Sequence, residues 1–191
     1  MKAGRPAKSQ NHAFICKDCQ ASGYFFKKAH SACIYEGVIK ECIHLFKYNS
    51  KLSLSGPLAE LMIDFAGRFL DMRKVDLILP VPLYSAKERR RQFNQAGILS
   101  ESLAKAFSKQ AHNKTLIKIK ATQPQINLSR TERLKNIKGA FKVKNKNVPK
   151  NKNVLLVDDV LTTGATVNEC AKALHKAGAN RIEVFTLARK A

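Results

Sequence analysis

Residues 154–166 read Val-Leu-Leu-Val-Asp-Asp-Val-Leu-Thr-Thr-Gly-Ala-Thr, and no other stretch constrains the chain as tightly. The short unbroken run Val154-Leu155-Leu156-Val157 has the pattern of a strand buried on both faces. Val167, Cys170, Ala171 and Leu174 then recur at helical spacing, with Gly178 placed to stop the helix. A buried strand, a hydroxyl-rich loop and a helix in direct succession put that loop at the helix N-terminus. There the unpaired N–H groups of residues 162–166 and the positive end of the helix dipole favour an anion such as a phosphate. The hydroxyls of Thr162, Thr163 and Thr166 add donors, and Gly164 lets the backbone curl close to a ligand. Asp158 and Asp159 stand at the strand end. Adjacent strand residues point apart, so one carboxylate can accept hydrogen bonds from ribose hydroxyls while the other meets solvent or a Mg2+-bound water. The plainer alternative is a strand-to-helix turn in which these Asp and Thr residues only cap the helix.

The whole chain sets further limits. Its 191 residues and 45% apolar content suit one domain of ordinary size with a small appendage. Lys and Arg number 35 against 14 Asp and Glu, a formal charge of +21 that favours polyanionic partners over neutral ones. No apolar run approaches the roughly 18 residues of a membrane span, and the first residues lack the apolar core of a secretory signal. The expected location is therefore the cytoplasm. Five cysteines, an odd number without regular pairing, agree with a reducing compartment.

Residues 1–34 read as an N-terminal appendage and residues 35–191 as the main domain. Val38, Ile39, Cys42, Leu45 and Phe46 mark a helix over residues 37–48. After a turn over residues 49–56, Leu58, Leu61, Met62, Phe65 and Phe69 mark a second over residues 57–72. Residues 75–81 form a strand that Pro80-Val81-Pro82 ends. A basic loop over residues 87–91 leads into Phe93-Asn94-Gln95 and a helix carrying Ala96, Leu99, Leu103 and Phe107 on one face. Further strands are expected over residues 115–119 and 182–187, with residues 121–152 a long loop holding a short hairpin or helix. Strands alternating with helices imply an α/β fold with a doubly wound, mainly parallel sheet, whose ligands bind beyond the strand C-terminal ends.

Cys16 and Cys19 form one Cys-x-x-Cys pair, half of the four-ligand set that a structural Zn2+ requires. His12 and His30 are the nearest further donors, at spacings that match no standard zinc pattern. Any Zn2+ site here is incomplete. Cys42 and Cys170 fall on apolar helical faces, where cysteine acts as a small hydrophobe.

The segment over residues 154–166 resembles the phosphoribosyl pyrophosphate signature of type I phosphoribosyltransferases. The resemblance implies that Asp158 and Asp159 bind ribose and carry any catalysis, and that Thr162, Thr163, Gly164, Ala165 and Thr166 hold a 5′-phosphate. The blocks Tyr35-Glu36-Gly37, His44-Leu45-Phe46-Lys47-Tyr48, Leu79-Pro80-Val81-Pro82-Leu83, Arg91-Gln92-Phe93-Asn94-Gln95 and residues 125–141 resemble the ComF family. These are phosphoribosyltransferase-like competence proteins. The likeness implies a sheet of type I phosphoribosyltransferase type and a part in natural transformation. It also implies single-stranded DNA as a partner, with a DNA-uptake helicase or channel as a further one. ComF-type proteins usually open with two Cys-x-x-Cys pairs that bind Zn2+, whereas this chain has one, with Ala3 where an earlier cysteine would stand.

Pro82 and Leu83 follow the strand where related transferases keep their pyrophosphate loop; with Arg91 and Gln95 they are expected to contact pyrophosphate or a DNA backbone. A rigid turn and a solvated basic face are the alternatives. Residues 112–152 carry twelve Lys or Arg against the single acid Glu132, a net +11. Such a segment releases counterions from phosphates without reading sequence. Arg130, Arg133 and Lys135 are the expected nucleic-acid contacts, with Asn136 and Gln125 beside them.

Two functions lead, with a sensor that binds a sugar phosphate without chemistry as a third option. The first is a protein that binds ribose phosphate or phosphoribosyl pyrophosphate and handles single-stranded DNA in the cytoplasm. The second is an active phosphoribosyltransferase of nucleotide metabolism that uses Mg2+ with phosphoribosyl pyrophosphate. No segment identifies an acceptor. With 7% aromatic residues and no tryptophan, electrostatics should outweigh base stacking.

Overall fold

A computed structural model of the chain describes residues 23–48, 51–122 and 130–190, and the side chains of all of these but Tyr48, Arg130, Thr131, Arg133 and Leu134. Five strands, all parallel, form the central sheet in the order β1-β7-β6-β2-β3. They are β1 (Lys28–Ile34), β2 (Leu77–Pro80), β3 (Gln110–Ala111), β6 (Asn153–Leu161) and β7 (Arg181–Arg189). The helices are α1 (Gly37–Tyr48), α2 (Ser55–Phe69), α3 (Ser85–Arg91), α4 (Gln95–Ala106), α5 (Arg130–Ile137) and α6 (Ala165–Lys176). The remaining strands, β4 (Leu116–Lys118) and β5 (Phe141–Val143), pair antiparallel as a separate ribbon.

The alternation along β6 explains why its sequence is continuously apolar. Leu155 and Val157 enter one core with Ile43, Phe46, Met62, Leu99 and Phe185, from α1, α2, α4 and β7. Val154 and Leu156 enter the other with Cys170, Leu174, Leu116, Ile137 and Phe141, from α6, the ribbon and α5. A strand covered on both sides has no polar face to display. Chain direction away from the centre reverses between β2, which leads outward to β3, and β6, which leads through α6 to β7. The crevice at the C-terminal ends of β2 and β6 is thus a topological switch point, where sheets of this kind bind ligands.

Several expectations change. The strand over residues 115–119 exists as β4, but it leaves the main sheet and pairs with β5, a strand from the long loop. The basic segment before Phe93 is helix α3 rather than a loop. Its five charged residues in seven hide the apolar period by which helices are recognised. Residues 28–34, placed in the appendage, are the edge strand of the central sheet, so the sheet takes in the chain from Lys28 onward.

Phe185 is fully buried in β7 and its ring stacks on that of Phe65, with centroids 5.7 Å apart. Phe185→Ala is expected to lower unfolding stability by about 3–5 kcal/mol in urea denaturation, the cost of a large cavity in a two-sided core. A loss below about 1 kcal/mol would mean that this core is not the closely packed one described.

Candidate functional site

The two acids lie within β6, since the strand runs past Val157 to Leu161. Pairing with β2 stops earlier, at Pro80 opposite Val157, with Val81 N–H donating to the Val157 carbonyl at 2.8 Å. Beyond that point β6 keeps β7 as its ladder partner, with Asp158 opposite Thr186. Asp158 and Asp159 therefore stand at the crevice, on opposite faces of the strand.

Asp159 N–H donates to Asp158 Oδ1 at 2.9 Å, which fixes the first carboxylate against the backbone of the second. Asp159 Oδ1 accepts from Lys47 Nζ at 2.8 Å, with the two side chains 14% and 19% exposed. Burial and the neighbouring Asp159 push the Asp158 carboxyl up to about 7, against the downward pull of Lys47, the Asp159 N–H and Lys87. Burial alone would lower the Lys47 pKa, but Asp159, by charge and hydrogen bond, and Asp158 turn the net shift upward. Lys87 on α3 is shifted down by desolvation and then by the cations Arg91, Lys118 and Lys47, with Asp159 opposing. Burial likewise lowers Lys118 on β4, which feels Cys170 and Asp158. Lys47 thus pairs directly with Asp159, while Lys87 and Lys118, on two further elements, feel the charge of the acids. Sequence reasoning assigned none of them. Each is one of 35 basic residues with no local mark, and Lys118 reaches the crevice because Tyr84 bridges to it from the turn after β2.

The phosphate-loop residues follow directly. Gly164 adopts φ 73° as the N-cap of α6, a left-handed conformation that disfavours a side chain. The Tyr24 ring lies 3.5 Å from where a Cβ at residue 164 would sit, and its hydroxyl donates to the Thr163 carbonyl at 3.4 Å. Ala165 N–H donates to Thr163 Oγ1 at 3.4 Å. Thr162 is exposed, Thr163 and Thr166 are half-buried, and Ala165 is buried. Phe25 N–H donates to Asn168 Oδ1 at 2.8 Å, so the segment before β1 is fastened to the first turns of α6. Sequence reasoning offered Tyr24 only as one of a few aromatics, with Phe93 and Tyr84, that could stack on bases, not as a cover for this loop.

Pro82 and Leu83 form the turn after β2 at the crevice, Pro82 buried and Leu83 half-buried. Arg91 and Gln95 lie elsewhere than expected. They are 7% and 1% exposed, Arg91 Nη1 donates to Gln95 Oε1 at 3.1 Å, and Gln95 Nε2 donates to the Phe46 carbonyl at 3.4 Å. A nucleic-acid backbone needs open surface, which Gln95 does not offer. The Phe-Asn-Gln block instead builds the crevice wall. Phe93 packs on Phe46 with centroids 5.6 Å apart, and Asn94 caps α4 and donates to the Val81 carbonyl at 3.0 Å. It thereby ties the end of α1, next to Lys47, to the end of β2.

Arg130, Arg133 and Lys135 are all on α5; Lys135 is exposed in its last turn. Ile137 anchors that helix in the core shared with α6. Gln125, Cys16, Cys19 and His12 lie outside the described residues. His30 sits in β1, with Nε2 3.7 Å from Glu183. That His30 contact, outweighing partial burial, and then Arg181 draw the Glu183 carboxyl down to about 2.

Among the described residues no group of three or more His, Cys, Asp or Glu could hold a metal ion. Mg2+ in phosphate chemistry is usually held by one or two carboxylates together with substrate oxygens and waters. Here one oxygen of Asp159 already meets an ammonium group. The protein donors alone do not make a resident magnesium site, and Mg2+ would have to arrive on the oxygens of a ligand.

Comparison with known proteins agrees with this geometry. Residues 95–191 match the phosphoribosyl transferase domain family. Competence protein F of Haemophilus influenzae is 37% identical over 151 residues, covering 77% of this chain and 66% of that protein. DNA utilization protein YhgH of Salmonella typhimurium is 30% identical over 178 residues, covering 91% and 77%. Competence protein ComFC of Bacillus subtilis is 30% identical over 195 residues, covering 97% and 75%. The chain thus spans two thirds to three quarters of the length of these relatives. It belongs to the ComF family of phosphoribosyltransferase-like proteins. Among the described residues no helix is long and apolar enough to cross a membrane.

The acid pair has a consequence for stability. A carboxyl whose pKa is about 7 when folded and 3.8 when unfolded holds its proton more tightly in the folded state. Its contribution is fully present below the unfolded value and is lost as pH rises towards the folded one. Asp158→Asn keeps an acceptor oxygen for the Asp159 N–H but cannot ionise. Relative to the natural protein it should gain about 1 kcal/mol or more between roughly pH 4 and pH 8 in urea melts. A difference that stays constant with pH would place Asp158 in an environment unlike this one.

Proposed function

We propose that the crevice at the ends of β2 and β6 binds a ribose-phosphate unit, either phosphoribosyl pyrophosphate or another sugar phosphate. The phosphate would rest on the loop of Thr162, Thr163, Gly164, Ala165 and Thr166 and the sugar hydroxyls on Asp158 and Asp159. The observation that carries this reading is the acid pair standing past the end of β2, five residues before a left-handed glycine that caps α6. It supports the reading because hydroxyl acceptors and a helix start, which favours an anion, then lie close together.

The wider role we propose is the handling of single-stranded DNA in the cytoplasm during natural transformation, in contact with a DNA-uptake helicase or channel. It is supported by the names of the relatives, which refer to competence and DNA utilization, and by the net +11 over residues 112–152. Any Zn2+ would involve Cys16 and Cys19. The transferase alternative, with Mg2+ carried by phosphoribosyl pyrophosphate, is tested by pyrophosphate release on the same sample.

Changing Asp158 and Asp159 together to Asn is expected to abolish phosphoribosyl pyrophosphate binding in titration calorimetry while the protein stays folded. Unchanged affinity would remove the ribose role from these residues.

For DNA, affinity for single strands should fall steeply with salt, by about 0.7 log unit per log unit of salt for each phosphate neutralised. Replacing Arg130, Arg133 and Lys135 by alanine should flatten that slope by about two. A slope near zero in the natural protein would sink the nucleic-acid role.

A further inference from the structure

We infer that Lys47 is the built-in counter-cation of the acid pair, so that sugar-phosphate binding in this crevice proceeds without a divalent metal. The inference deepens the ribose-phosphate reading and rests on it.

Two adjacent carboxylates beside a phosphate loop bring like charges together with the phosphate itself, and some cation must offset them. A divalent ion is the usual solution where phosphates gather. This chain places an ammonium group there instead. Lys47 Nζ is 2.8 Å from Asp159 Oδ1, and both side chains are less than a fifth exposed, so the pair is poorly screened by solvent. Lys47 sits in the last turn of α1, where the helix dipole also favours a cation. The position is fixed from behind, since Gln95 binds the carbonyl of Phe46 and Phe93 packs on its ring.

An Mg2+ ion at the same carboxylate oxygen would meet the ammonium at contact distance, and the two cations repel. With both acids ionised the pair is left with one net negative charge, and its carboxyl oxygens can still accept from sugar hydroxyls. Further negative charge on a ligand would be offset in part by Lys87 on α3 and Lys118 on β4, which interact electrostatically with these acids. Lys47 is a positioning residue in this scheme: it acts on the ligand through Asp159.

The test is titration calorimetry of ribose 5-phosphate into the full chain, in EDTA and in about 5 mM Mg2+. The natural protein is expected to bind with affinities within about threefold of each other in the two buffers. Lys47→Met is expected to bind about tenfold more weakly in EDTA and to recover to within about threefold on adding Mg2+, because the ion takes the vacated place. Lys47→Arg should retain binding in EDTA. A natural protein that needs Mg2+, or a Lys47→Met variant that binds normally in EDTA, overturns the inference and leaves the ribose-phosphate reading standing. No binding of ribose 5-phosphate by the natural protein in either buffer overturns both. Should Lys47→Met prove too unstable to titrate, the natural protein and Lys47→Arg decide the matter, since each must bind without metal.

Discussion

The burial of β6 on both faces governs the rest of the structure. Leu155 and Val157 are fixed in one core and Val154 and Leu156 in the other, so the strand can neither slip by one residue nor turn over. Its register with β7 holds as far as Leu161, whereas β2 ends between two prolines that cannot donate to a ladder. Asp158 and Asp159 are therefore carried out of the sheet interior to a crevice at a fixed height. The same register delivers residues 162–166 to the start of α6, so acids and loop keep one spacing.

Placing two carboxylates there is unfavourable for the fold. Asp158 is the clearest sign, its carboxyl driven upward by burial and by the adjacent acid. What makes the arrangement tolerable is supplied from a distance in sequence: Lys47 from α1, Lys87 from α3 and Lys118 from the β4–β5 ribbon. Only the Lys47–Asp159 ion pair is a direct contact, and it joins the end of α1 to β6. The buried Phe93-Asn94-Gln95 block holds the Lys47 wall in place, so a motif suggestive of ligand contact is a brace. Tyr24 performs a similar service at the phosphate loop by covering Gly164.

This division explains what the sequence disclosed. The strand, loop and helix over residues 154–174 are contiguous, and their apolar periods and turn residues are local signals; helices α1 and α2 were readable within a few residues for the same reason. By contrast, β1 is the edge strand Lys-Ala-His-Ser-Ala-Cys-Ile, whose half-exposed pattern is too polar to declare itself. The two residues of β3 are too short to register, and β4 looks like a sheet strand until its partner β5 is known. The Lys47–Asp159 ion pair joins residues more than a hundred positions apart, which no local pattern encodes. Arg91 and Gln95 show the opposite error, in which polar residues in a basic stretch suggested a surface but fill an interior junction.

The central claim is that one crevice receives both the phosphate and the sugar. Backbone amide shifts of 15N-labelled protein, recorded as ribose 5-phosphate is added, test it most directly. The account predicts saturable shifts at Thr162, Thr163, Gly164, Ala165 and Thr166 together with Asp158 and Asp159, and none at Asn113 or Lys144, which follow β3 and β5 and line a separate pocket. Shifts confined to the basic surface, with the residues of the acid pair and loop unmoved at saturation, would contradict it.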